Sequence, residues 1–195
     1  MKPTSRENFV KKYANFVNEV TQNSGIFAGT LFAQAILESS GKYKTGGQWL
    51  VGGSKLSQEA NNFFGIKAEK SYKGKRYNIA TGENKPSGEY YIIKDDFRKY
   101  DSVEDSIKDY INFLQTNPRY TKGGVFKAKN VKEQAEALKK SGYATAPDYA
   151  SVVDSVYNSV KKFIISEPVK TSLGVGALVI LAAGFFLPPK SWHSN

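Results

Sequence analysis

The sequence predicts an α+β fold that is mainly helical, with a small β-lobe between two helical stretches and one C-terminal transmembrane helix. Three observations predict it. Apolar residues recur at three- and four-residue steps before residue 40 and again after residue 102. Between them, Tyr72 to Phe97 carries short β-type runs separated by turn residues. Near the end, Thr171 to Pro189 contains no charged residue.

The elements follow in order. Thr4-x-x-Glu7 reads as a capping box. It opens a helix whose apolar face is Phe9, Val10, Tyr13, Phe16, Val17 and Val20. A second helix is expected from about Ile26 to Ser39, with Phe27, Leu31 and Ala35 in one stripe and Phe32 and Ile36 beside it. Gly41 to Gly53 is a loop rich in Gly and Lys that includes Trp49 and Leu50. Tyr72, Tyr77 and Ile79, then Glu89 to Ile93, read as strands, and Asn84 to Gly88 as a hairpin tip. Ser102-x-x-Asp105 caps a helix carrying Val103, Ile107, Tyr110, Ile111 and Leu114. Asn130-x-x-Glu133 caps another, with Val131, Ala135 and Leu138, that ends at Gly142. Pro147 opens the last soluble helix, whose face is Tyr149, Val152, Val153, Val156, Val160 and Phe163.

The tail differs from everything before it. A spanning helix needs roughly 17–25 apolar residues, and the segment 172–188, built on the strongly apolar run from Leu173 to Leu187, lies at the short end of that range. Pro188, Pro189, Lys190 and Trp192 read as a helix stop with interfacial anchors. A buried C-terminal core helix is the alternative, although the stretch shows no polar face. The expected organisation is a domain over 1–165, a linker over 166–171, a transmembrane helix over 172–188 and a short polar tail over 189–195. Met1 to Asn8 is polar and does not read as a secretory signal.

Composition narrows the chemistry. Of 195 residues, 40% are hydrophobic and 13% aromatic, which excludes intrinsic disorder. There is no Cys and a single His, so disulfides and thiolate chemistry are excluded, and neither a zinc site nor any other metal or cofactor is expected. The formal net charge is +10. Residues 166–195 contribute +1 through Glu167, Lys170 and Lys190, which leaves +9 on residues 1–165. Such a surface favours a polyanion: nucleic acid, anionic lipid or an anionic cell wall.

Chemistry must therefore run on carboxylates, phenols, hydroxyls and amides. Most acids have a plain explanation. Glu7, Asp105, Glu133 and Asp148 start helices, while Glu104, Asp109 and Asp154 read as solvated helix faces. Glu38 is the exception. It follows a strongly apolar face and lies at a helix C-terminus, where the dipole disfavours a carboxylate. A carboxyl group so placed has a raised pKa and suits proton donation to a glycosidic oxygen. The alternative is an exposed helix-terminal Glu.

Five ordered blocks then carry a resemblance. Ala33-Gln34-Ala35-Ile36-Leu37-Glu38-Ser39 resembles the catalytic helix of the peptidoglycan β-N-acetylglucosaminidases of glycoside hydrolase family 73. Asn61-Asn62-Phe63-Phe64-Gly65-Ile66-Lys67, Phe97-Arg98-Lys99-Tyr100-Asp101-Ser102, Asn117-Pro118-Arg119-Tyr120 and Gly142-Tyr143-Ala144-Thr145 resemble its further blocks, in family order. The resemblance covers about residues 8–165.

The resemblance implies a lysozyme-like fold, a helical lobe and a β-lobe flanking a sugar groove. It implies that Glu38 is the general acid and that Glu83 is the second carboxylate, on the β-hairpin, with Glu89 its rival. Tyr143 matches a groove tyrosine, and Asn62 and Phe64 match groove or groove-supporting positions. Their structural alternatives are a packed helix-end aromatic, a turn or cap, and a core residue. The sequence departs from the family in the long Gly/Lys-rich interval after Glu38, where Lys42–Lys55 reads as an insert, and at Ala146, where the family often has Asp.

The implied activity is hydrolysis of the β-1,4 bond between N-acetylglucosamine and N-acetylmuramic acid. The expected partners are a peptidoglycan glycan strand and, through residues 172–188, a lipid membrane, but not nucleic acid. The rivals are a lytic transglycosylase on the same fold and a non-catalytic wall-binding membrane protein. A membrane-anchored hydrolase without an export signal suits a phage virion or lysis enzyme, placed in a virion membrane or the bacterial inner membrane.

Overall fold

Helix formation begins one residue later than the sequence pattern suggests. A computed structural model describes the backbone of residues 1–84 and 90–165 and the side chains of 1–80 and 92–164. In it, helix α1 (Arg6–Thr21) is capped by Ser5, whose Oγ accepts from the Asn8 N–H at 3.2 Å. Thr4 is not the cap. Its backbone pairs with Val51, N–H to carbonyl at 3.1 Å and the reverse at 3.0 Å, so it is held extended outside the helix.

Helix α2 (Ala28–Ser39) starts later than expected because Phe27 is extended, with its N–H donated to Gln134 Oε1 at 2.9 Å. Eight consecutive residues of α2, Gly29 to Ile36, are buried, so it is the central helix rather than an amphipathic surface one. Gly29 permits this. A Cβ there would stand 2.6 Å from the Tyr157 ring and 2.8 Å from Val131. Helix α7 (Tyr149–Ile165) therefore packs close along α2, and also against α1 and α6 (Val131–Lys140).

The remaining helices are α3 (Lys55–Ala60), α4 (Val103–Thr116) and α5 (Pro118–Gly123), with a 3-10 turn at Val125–Lys127. Ser102 and Asn130 cap α4 and α6 as expected. The core joins all of these through Phe9, Phe32, Phe63, Leu31, Ile107, Leu114 and Leu138. Phe9 stacks on Phe63 with ring centres 5.6 Å apart.

Strands β1 (Arg76–Asn84) and β2 (Tyr90–Arg98) pair antiparallel, from Arg76 opposite Arg98 to Asn84 opposite Tyr90. The segment around Lys67 adds to the β2 side, with the Ala68 N–H donating to Asp96 at 2.7 Å and Arg98 N–H to Ile66 at 3.0 Å. The lobe is fixed at its root by Arg98. Its guanidinium donates to both Asp109 oxygens, at 3.1 and 2.8 Å, and faces Tyr72 and Phe113. Tyr100 donates to the same carboxylate at 2.6 Å. Asp109 is thus a half-buried anchor between α4 and the β-lobe, not the solvated face residue its sequence position suggests.

Gly41–Gly53 is the expected loop, closed by a bridge between Gly41 and Leu50 and exposing Trp49. The hairpin tip beyond Asn84, Glu89 and the apolar run of residues 172–188 lie outside the described residues. Among the described residues no helix is long and apolar enough to cross a membrane.

Candidate active site

Glu38 stands in the last turn of α2 and lines a cleft of about 310 Å³. The cleft walls come from three parts of the chain: Phe64 to Lys67 with Glu69, the α4–α5 region through Phe113, Arg119 and Tyr120, and the turn Gly142–Tyr143. Solvent reaches the Glu38 side chain, but the concave wall crowds it with protein atoms. Burial pushes its pKa up from 4.5 to about 7. Among the described residues no ion pair involves Glu38, and none of them supplies a counter-charge that offsets this desolvation.

The helix prepares this environment one turn earlier. Gln34 precedes Glu38 by four residues and shares its face. The buried Gln34 amide donates to Tyr149 Oη at 2.5 Å and accepts from the Tyr110 hydroxyl. The two phenols held by Gln34, together with Tyr143, feel the Glu38 charge. Burial raises the pKa of all three, so they remain neutral hydroxyls at neutral pH. Aromatic neighbours thus replace water around the carboxyl group without supplying a counter-charge.

Asn62 builds the opposite wall from beneath. It is buried, and its Oδ1 accepts from the Phe64 and Ile66 N–H groups at 3.3 and 3.2 Å. Its Nδ2 donates to the Ile66 and Arg98 carbonyls, both at 2.9 Å. Asn62 therefore braces the loop and is absent from the cleft lining. The loop places Phe64 in the wall, stacked on Tyr110 at 4.1 Å. Gly65 has φ +64, which favours glycine, and faces Glu38 Oε2. Tyr143 donates its hydroxyl to the Phe64 carbonyl at 2.9 Å, which leaves the acceptor capacity of its oxygen.

The structure thus brings together Glu38, Phe64 and Tyr143, and sets Asn62 behind them. Glu83 lies in β1, its backbone opposite Tyr91 toward the far end of the hairpin. Lys67, Glu69, Phe113, Arg119, Tyr120 and Gly142 line the cleft without having been assigned a site role from sequence. Lys67, Arg119, Tyr120 and Gly142 belong to the quoted blocks, which was the available signal, whereas Glu69 and Phe113 have none. Among the described residues no group of three or more His, Cys, Asp or Glu is placed to hold a metal ion. The arrangement offers a carboxylic acid that keeps a large share of its proton near neutral pH, at the edge of an open cleft with aromatic walls.

Known proteins share this sequence and fold. A family described as mannosyl-glycoprotein endo-beta-N-acetylglucosaminidase matches residues 14–162. The peptidoglycan hydrolase FlgJ of Vibrio cholerae is 34% identical over 152 residues, covering 76% of this chain and 42% of that protein. The exo-glucosaminidase LytG of Bacillus subtilis is 32% identical over 162 residues, covering 82% of this chain and 52% of that protein. The chain therefore spans about half the length, or less, of these curated relatives. Among solved structures, a peptidoglycan hydrolase mutant from Sphingomonas sp. A1 superposes with a TM-score of 0.64 at 29% identity, covering 83% of this chain and 99% of that one. A glycoside hydrolase domain of Salmonella typhimurium FlgJ gives 0.57 at 30% identity, covering 81% and 99%.

Proposed function

Because this chain belongs to the glucosaminidase family and has its lysozyme-like helical-plus-sheet fold, we propose that it hydrolyses the β-1,4 bond between N-acetylglucosamine and N-acetylmuramic acid in peptidoglycan. The observation that carries this reading is Glu38, a carboxyl group held to a pKa of about 7 inside an open cleft. Protonated Glu38 donates to the leaving oxygen as the sugar develops oxocarbenium character. On the other face, the hairpin carboxylate Glu83 activates water, or the substrate's own 2-acetamido group attacks. Tyr143 fits either route. Its proton is committed to the Phe64 carbonyl, so its oxygen accepts from the acetamido N–H and orients that group.

The expected experiment is a zymogram. Glu38→Gln preserves shape and removes the proton, so clearing of embedded cell wall is lost while the fold is kept. Full clearing by that variant would refute the assignment.

The charge of +9 on residues 1–165 suits attraction to an anionic wall. Residues 172–188, charge-free and apolar, are proposed to anchor the enzyme in a membrane, either of a phage particle or of the bacterium. A full-length protein that resists salt wash and leaves membranes only with detergent supports the anchor, and a soluble full-length protein refutes it.

A further inference from the structure

Among the described residues two cations line the cleft, and one of them is paired with a carboxylate. Lys67 pairs with Asp95 at 2.7 Å. Arg119 is exposed, lines the same cleft as Glu38 and has no carboxylate partner among the described residues. The two guanidinium groups of the β-lobe, by contrast, are paired: Arg98 with Asp109 at 2.8 Å and Arg76 with Asp96 at 3.6 Å.

Arg119 is nevertheless held in place. Pro118 and the Asn117 cap fix its backbone at the start of α5. One amino group donates to Tyr120 Oη at 2.6 Å, and the guanidinium lies 4.7 Å from the Tyr120 ring centre. The other amino group faces Gly142, where a Cβ would stand 3.8 Å away. Gly142 has φ +76 and carries no side chain that could cover this edge. One side of the fork is therefore used for orientation, and the other is left to the cleft.

A pre-oriented guanidinium recognises a carboxylate with a charge-assisted pair of hydrogen bonds. The proposed substrate supplies one near the reacting atoms. Muramic acid carries its lactyl ether on C3, next to the C4 that bears the scissile oxygen. A ligand whose scissile oxygen meets Glu38 brings that substituent within a few ångströms of the same carboxyl group, in the cleft that Arg119 also lines. We propose that Arg119 docks the anionic substituent of muramic acid, and so gives the cleft its preference for muramic acid over uncharged N-acetylhexosamine on that side of the bond. This rests on the peptidoglycan reading above. The carboxylate has two sources: the lactyl group itself, free where the peptide stem has been removed, or the stem, where the lactyl carboxyl is an amide.

The test is calorimetric binding of soluble glycan fragments to full-length protein carrying Glu38→Gln, which binds without cleaving. Stem-bearing and stem-free fragments are each used as free acids and as methyl esters. With Arg119 intact, acids bind about tenfold tighter than esters, and this preference shrinks as salt rises. Adding Arg119→Gln removes the preference by weakening the acids, while the esters stay within about twofold. An effect with stem-free fragments assigns the lactyl carboxylate, and an effect confined to stem-bearing ones assigns the stem. The inference is overturned if acids and esters bind alike with Arg119 intact. It is equally overturned if Arg119→Gln weakens both forms equally, as loss of the Tyr120 contact alone would do. Failure of the unmutated protein to cleave any of these strands refutes the glucosaminidase reading itself, an outcome separate from either of these.

Discussion

Raising the pH across neutrality should switch off the proposed acid, and the structure sets where. At pH 7 a carboxyl group at the ordinary value of 4.5 would be protonated in about one molecule in 300. At a value of about 7 roughly half the molecules carry the proton, so burial raises the competent fraction by about 150-fold. The assay is kcat/KM on soluble glycan strands from pH 4 to 9 at fixed ionic strength. The rate should hold up to about pH 7 and then fall tenfold per unit. An alkaline limb centred near 4.5, or no limb up to pH 9, would refute the link between the aromatic wall and the acid.

Three further outcomes follow from the same contacts. Because the folded-state pKa of Glu38 lies above its ordinary value, the folded protein holds a proton that the unfolded chain releases. Its contribution to stability therefore declines as pH rises from about 4.5 through about 7, and Glu38→Gln should raise the melting temperature more at pH 8 than at pH 4.5. An equal change at both values would contradict the desolvation argument. Asn62→Ala removes four hydrogen bonds of a buried side chain and should cost about 2–4 kcal/mol in chemical denaturation. A loss below about 0.5 kcal/mol would mean that Asn62 does not brace the wall. Asp109→Asn weakens the Arg98 pair at the root of the β-lobe, and should lower stability by about 1–2 kcal/mol in chemical denaturation. No measurable loss would mean that Asp109 does not anchor the lobe.

What could be read from the sequence follows the range of the interactions. Ser102 and Asn130 were legible as caps because each acts on a backbone N–H three residues away. Thr4 was misleading because its backbone is committed to Val51, a partner far along the chain. Asp109 carries no local sign of burial, since only Arg98 and Tyr100 reveal it. Helices α3 and α5, at six residues each, are too short to repeat an apolar stripe.

In the cleft, Glu38 was legible because a carboxylate after an apolar run at a helix C-terminus conflicts with two local preferences at once. Tyr143 and Phe64 depended on the ordered blocks, and Asn62 turned out to support the wall from behind it. Arg119 was hidden in plain view within a quoted block, because a cation without a carboxylate partner among the described residues can be recognised only from the fold. Gly29 is similar: its need for a missing side chain appears only with Tyr157 packed against it.

Mass spectrometry of the fragments released from purified peptidoglycan reads out which bond is broken and how. Hydrolysis with Glu38 as the acid releases fragments ending in reducing N-acetylglucosamine, all of them lost with Glu38→Gln. Fragments ending in anhydro-muramic acid would make the protein a lytic transglycosylase, and release that continues in the Glu38→Gln variant would contradict the role of Glu38 altogether.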